Sequence, residues 1–237
     1  MARKCAIELL RGSPDLSYDR LAKYCNIVKK NNLGIMTFIE VDNEKQFKYF
    51  FMALEPSIRG FHSSMRHVIS VDETFMKSKF RGTLLVAMCQ DANLQIYPFA
   101  FDIVDFENDA SWTWFFNKLF QVTGMLKVLV FISDHKASVG NAIKIVYLYA
   151  HHGCCMWHLQ LNIKSNYHKT DILPLYVATV KEYSLINFEK SMANPYRKSS
   201  TAGELEKKDV YEFWSRAHFK GNRYNIMTTN NVESLNS

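Results

Sequence analysis

The chain alternates between short runs of apolar and β-branched residues and longer stretches with helical spacing. His67 to Thr74, Thr83 to Gln90 and Ile96 to Val104 each read as one strand, joined by connections short enough to demand antiparallel pairing. Pro98 sits inside the third run and lacks the ladder donor. That run therefore belongs at a sheet edge, or Pro98 marks a bulge. In NDASWTWFFNKLFQVTG, Trp112, Phe115, Phe116 and Leu119 repeat along one helical face, with Ser111 as the expected N-cap and Gly124 as the stop. VLVFISD is almost wholly apolar, as a parallel strand buried on both faces would be. Ser138 then starts a helix through Val139, Ile143, Val146 and Tyr147, and GCCMWH gives one more short strand. The resulting order is β-β-β-α-β-α-β, an α/β class with a mixed sheet.

On either side the pattern changes. Residues 1–66 read as a mainly helical approach segment, although GIMTFIEVD within it has strand character and Phe47, Tyr49, Phe50 and Phe51 suit packing under a sheet. Residues 67–237 form the main domain. Within it, residues from about 159 to 222 carry helical patterns such as ILPLYVATVKEY and KKDVYEFWSRAHF, separated by the turn-rich NPYRKSSTAG, and read as an α-helical insertion.

Composition narrows the class. With 237 residues, 48% of them hydrophobic, the chain fills a sizeable core and is not of the disordered type. It has neither an apolar run of membrane-spanning length nor the N-terminal pattern of a secretory signal. Five cysteines, an odd number, do not form a disulfide framework and suit a reducing compartment. The net charge of +6 is unevenly spread. Residues 1–67 carry +4 (eleven basic, seven acidic), 68–158 carry −1 (seven and eight), and 159–237 carry +3 (eleven and eight). An acidic centre between basic flanks suits a metal-binding core held against a polyanion.

Two acids stand where chemistry is easiest to place. Asp72 follows VISV and Asp134 follows VLVFIS, so each leaves the C-terminal end of an apolar strand, where a buried backbone holds it and solvent can reach it. Neighbouring strands would let both share a divalent cation. Between the first two strands Lys77, Lys79 and Arg81 alternate with Ser78 and Phe80. In extended chain all three cations share a face, and they are candidates for phosphate contact as well as for a merely solvated hairpin.

The string VISVDETFMKSKFRGTLLVAMCQDANLQIYPFAFDIVDFENDASWTWFFNKL, followed by VFISDHKASVGNAI and CCMWHLQLN, resembles the Mutator-like element (MULE) transposases of plants. The resemblance runs from about Cys5 to the last residue and implies a DDE-type recombinase core on an RNase H-like fold, with the helical insertion preceding the last catalytic helix. It implies three catalytic and metal-binding acids, Asp72, Asp134 and Glu233, the last in TTNNVESLNS with Asn230 or Asn231 capping its helix. Such a set binds Mg²⁺ or Mn²⁺ through oxygen for in-line displacement at phosphorus.

The partner implied is DNA, as element ends and target, with assembly as a homo-oligomer, no membrane, and a nuclear location. Lys220 and Arg223, in the basic last third, are further candidates for DNA contact. His152, Cys155 and His158 match the H-x-x-C-x-x-H arrangement of similar transposases. They are candidate Zn²⁺ ligands or a packing and hydrogen-bonding element.

Two departures bear on activity. Ser78 stands where the family has glycine, and DHKAS lacks the arginine of the family's run. The chain stops four residues after Glu233 and carries no SWIM-type zinc finger, so the expected product is a truncated element protein. The alternative is a domesticated, inactive derivative that binds DNA and regulates transcription. A structural nuclease shares the metal chemistry but not the motif string.

Overall fold

The computed structural model describes residues 18–76, 82–167, 173–198 and 211–229. In chain order the elements are α1 (Leu21–Asn31), β1 (Met36–Val41), β2 (Phe47–Ala53), α2 (Glu55–Ser63), β3 (Val68–Phe75), β4 (Thr83–Gln90), β5 (Ile96–Val104) and α3 (Asp109–Thr123). There follow β6 (Val130–Ser133), α4 (Ala137–Val146), β7 (His151–Cys154), α5 (Met156–Tyr167), α6 (Leu173–Lys181), α7 (Leu185–Lys198) and α8 (Tyr211–Trp214). The seven strands form one mixed sheet in the order β1-β2-β5-β4-β3-β6-β7.

The centre of this sheet follows the hydrophobic pattern. β3, β4 and β5 pair antiparallel as a meander, and β6 and β7 add in parallel after α3 and α4. The segment before Val68 supplies more than an approach: β1 and β2 form a hairpin, and β2 pairs with β5 so that the hairpin extends the same sheet. This places β5 in the interior and resolves the position of Pro98. The β4–β5 register shifts between Ala87 and Met88, opposite Pro98, and the β2 pairing has already ended at Ala53 with Ala100. The missing proline N–H thus falls at a bulge, past the end of the β2 ladder.

Side-chain alternation divides the sheet into two faces. Ile69 and Val71 of β3 and Phe131 of β6 pack with Trp112, Phe115, Phe116 and Leu119 of α3 and with Val139 and Ile143 of α4, forming the main core. Helix α3 starts differently from the sequence expectation. Asn108, not Ser111, is the N-cap: its side chain accepts from Ser111 N at 2.8 Å while Ser111 Oγ accepts from Asn108 N at 2.9 Å, a reciprocal capping box. Gly124 ends the helix at φ +65°, a conformation that glycine adopts at no steric cost. Helix α4 likewise begins without a serine cap, since Lys136 takes that position and Ser138 lies inside.

The opposite face holds a smaller cluster of Val68, Val130, Ile132, Cys155 and Ile226. Beyond β7, the helices α5 to α8 have an apolar centre of their own, in which Tyr176, Val180, Phe188 and Trp214 pack with Ile163 and Met192. The strand expected through His158 is shorter than its apolar run: β7 ends at Cys154 and α5 begins at Met156. Cys155 is therefore the joint between strand and helix. Asp102, in the middle of β5, is fully buried, and burial pushes its carboxyl well above the usual range. Burial thus disfavours its charged form.

Candidate active site

β3 and β6 are adjacent and parallel, with Val68 opposite Val130 and Ser70 opposite Ile132. Two residues further along each strand direction lie Asp72 and Asp134, and a step of two returns to the same face. Asp134 follows the last residue of β6, whereas Asp72 still lies within β3, three residues before its end; the two acids therefore share one face in the C-terminal halves of neighbouring strands, next to the smaller cluster and away from the main core. Both are largely buried, at 6% and 9% exposure. Burial pushes the Asp72 carboxyl above its ordinary range and Asp134 adds to the rise, while the Thr229 hydroxyl, the charge of His158 and the Glu73 N–H work against it. Asp134 is likewise raised by burial and partly restrained by Lys136.

Asp72 is held at both oxygens. Glu73 N donates to Oδ1 at 3.0 Å, and Thr229 Oγ1, itself fully buried, donates to Oδ2 at 2.8 Å. Asp134 accepts from Lys136 N at 3.3 Å through Oδ1, and its Oδ2 lies 3.6 Å from Lys136 Nζ. The same ammonium is ion-paired to Glu73 and lies 2.6 Å from Glu107 Oε2. Lys136 thereby ties the β6–α4 turn to the end of β3 and to the β5–α3 connection. Burial opposes charge on Lys136, but Glu107 and Glu73 overcome it and raise its pKa. Glu73 is pushed up to about 7, chiefly by burial.

Cys155 and His158 form a second polar group beside Asp72. Burial favours the neutral thiol, but hydrogen bonds from His158 and Thr229 outweigh it and hold Cys155 below its usual value. The hydrogen bond with Cys155 raises His158 to about 9, and the charges of Asp72 and Asp134 support the shift. His152 belongs elsewhere. Its Nε2 lies 2.8 Å from Ser133 Oγ, which donates to Asp134 O, so the ring nitrogen donates to the serine. Its ring also lies against Gly140 of α4 and Phe213. Burial lowers its pKa to about 4.

The three members of the H-x-x-C-x-x-H arrangement are accordingly not gathered around one point. Among the described residues no group of three or more His, Cys, Asp and Glu side chains is placed to hold a metal ion. Glu233, its capping asparagines, Lys77, Lys79 and Arg81 lie outside the described residues. Lys220 is exposed and paired with Glu212 at 2.8 Å.

Arg223, expected to meet DNA, is instead 3% exposed: Nη2 donates to Cys154 O at 3.2 Å, Nε to Ile226 O at 3.3 Å, and the guanidinium stacks over Phe219. The two backbone carbonyls draw it inward. Burial lowers its pKa to about 10.

Sequence reasoning missed Thr229, Lys136, Glu73 and Glu107. A cation two residues after Asp134 and an acid directly after Asp72 were visible signals, but Thr229 lies 157 positions from its partner and nothing local marks it.

An α/β domain with two buried acids on one face of adjacent parallel strands defines the class: a pair of carboxylates on a mixed sheet. Residues 68–162 match the family model of the MULE transposase domain. This stretch of the chain is therefore similar to the MULE transposase domain, and the matched span contains both Asp72 and Asp134. No curated protein matches the chain.

Proposed function

We propose that this chain is the catalytic core of a DDE-type DNA transposase, with an RNase H-like topology, acting on element ends and target DNA in the nucleus. The observation that carries the reading is the in-register parallel pairing of β3 with β6, which puts Asp72, within β3, and Asp134, just past β6, on one face. The donor chemistry fits a hard divalent cation. Two buried carboxylates, with pKa values raised by burial and, at Asp72, by its neighbour, offer oxygen ligands whose charge a cation would offset. Glu233 is the proposed third ligand. It lies four residues beyond Thr229, a span of at most about 14 Å of extended chain, and Thr229 already touches Asp72.

When bound, Mg²⁺ or Mn²⁺ supplies Lewis-acid activation of a water or 3′-hydroxyl and stabilises the leaving oxygen at phosphorus. The protein's part is to hold the acids. The Glu73 N–H and Thr229 hydroxyl fix the two oxygens of Asp72, while Lys136 restrains Asp134 and anchors its turn to Glu73 and Glu107. Zinc lacks comparable support, because His152 is directed to Ser133 while Cys155 and His158 bond to each other.

The test is Mn²⁺-dependent nicking of supercoiled DNA, with Asp72→Asn and Asp134→Asn as controls. Nicking by the wild type and its loss in both variants is the expected outcome. Nicking that survives in either folded variant would remove that acid from the site. A folded wild type that binds DNA without nicking it favours the domesticated, inactive derivative.

A further inference from the structure

Residues 223–229 pair with no strand among the described residues, yet four of them are deeply buried. Thr229 is fully buried, Arg223 is 3% exposed, and Ile226 and Met227 are each 6% exposed. Their polar partners converge on the joint between β7 and α5. Arg223 donates to Cys154 O, Met156 N donates to Met227 O at 2.8 Å, and Thr229 N donates to Cys155 Sγ at 3.2 Å. Thr229 Oγ1 lies 3.3 Å from the same sulfur and 2.8 Å from Asp72 Oδ2. A hydroxyl has one proton, and the carboxylate oxygen, nearer than the sulfur and a stronger hydrogen-bond acceptor, takes it. Cys155 is in turn held in place by its own N–H, which donates to Ser133 O at 2.6 Å, directly before Asp134.

From this geometry, and resting on the transposase reading above, we propose that Thr229 is a positioning residue for Asp72 and that Cys155 is the dock that holds Thr229 in place. The dock explains why a sulfur stands at this joint. A large, polarisable acceptor reaches the backbone N–H of a residue arriving from far along the chain and still packs against its hydroxyl oxygen, where a serine oxygen is smaller and sits on a shorter bond. It also explains why Cys155 and His158 act together: the His158 side chain hydrogen-bonds to the same sulfur and so helps to fix the acceptor that receives the Thr229 N–H. The Cys–His part of the arrangement thus serves to stitch the C-terminal segment to the ends of β3 and β6. A carboxylate oxygen anchored in this way presents its remaining lone pairs in one direction, as outer partners of metal-binding side chains do.

The test uses the full chain and three readouts: Mn²⁺ affinity by calorimetry, nicking of supercoiled DNA, and amide hydrogen exchange. Thr229→Val keeps the shape and removes the hydroxyl; it should weaken Mn²⁺ binding and nicking by about 10- to 100-fold, with DNA affinity unchanged. Thr229→Ser should restore both. Cys155→Ala should accelerate amide exchange at residues 227–229 and leave that of β4 and β5 unchanged.

Circular dichroism and the unfolding temperature identify variants that fail to fold, and Thr229→Ser covers that case for Thr229→Val. A folded Thr229→Val that matches the wild type in metal affinity and nicking overturns the proposal, as does a Thr229→Ser no better than the valine. Unchanged exchange in Cys155→Ala overturns the dock. The failure of the transposase reading looks different: Asp72→Asn would bind Mn²⁺ like the wild type, while the exchange result would still decide the dock.

Discussion

His152 and Glu73 show how burial acts in opposite senses on a base and an acid of the same domain. His152 falls to about 4 from an ordinary 6.5. The unfolded chain then takes up the proton first, so stability from this group is complete above about pH 6.5 and is lost as pH falls toward 4, with a slope of at most about 1.4 kcal/mol per pH unit. Glu73 rises to about 7 from 4.5, so its contribution is complete below about pH 4.5 and is lost as pH rises toward 7. His152→Gln, which keeps a donor for Ser133, should therefore flatten the acid-side loss, measured as urea unfolding free energy near pH 5 and near pH 7. An identical difference between the two pH values in variant and wild type would mean that His152 does not titrate as a buried neutral base.

At this scale the sequence disclosed the acids but not their partners. Asp72 and Asp134 are legible because an apolar run stopping at a carboxylate is a local event. Thr229 and the inward turn of Arg223 are not, because both depend on partners across long separations. Arg223 looks from composition like one more cation in a basic segment.

Among the elements, legibility followed the length of the periodic pattern. Helix α3 and strands β3, β4 and β5 stand where alternation and helical spacing put them. The errors fell at ends. A short apolar run does not distinguish strand from helix, and GCCMWH divides between β7 and α5 at Cys155 because Met156 N turns away to Met227 O. At the start of α3 the sequence NDAS offers two capping residues three apart, and the structure uses both. Asn108→Ala should cost about 1 kcal/mol by thermal or urea unfolding. Ser111→Ala should cost a similar amount, and the double variant less than the sum, since each side chain serves the other's backbone. Additive losses would show that the box is not reciprocal. The hairpin of β1 and β2 was half visible: the strand-like run is β1, while β2 joins the sheet through β5, which lies beyond three other elements.

For the whole molecule, the distribution of charge acquires a geometry. Asp134 follows the end of β6 and Asp72 lies three residues before the end of β3; the connection carrying Lys77, Lys79 and Arg81 follows in the chain, and its described flanks are joined by Met76 N donating to Gly82 O at 3.0 Å. No helix among the described residues is long and apolar enough to cross a membrane. Lys77, Lys79 and Arg81 are expected from the sequence to meet phosphate, whereas Arg223 is committed to backbone carbonyls. The two roles separate in a salt titration of DNA binding. Reversing the charge of Lys77, Lys79 and Arg81 together should lower the log–log salt slope by about 2.7, roughly 0.9 for each phosphate left without its cation, and leave unfolding stability nearly unchanged. Arg223→Ala should do the reverse: it strands the carbonyls of Cys154 and Ile226 and costs about 1–3 kcal/mol of stability, with the slope of the folded variant unaltered. An unchanged slope in the triple variant would reduce the connection to a solvated hairpin. A lower slope in Arg223→Ala would show that the buried guanidinium reaches DNA, which its 3% exposure does not allow without rearrangement.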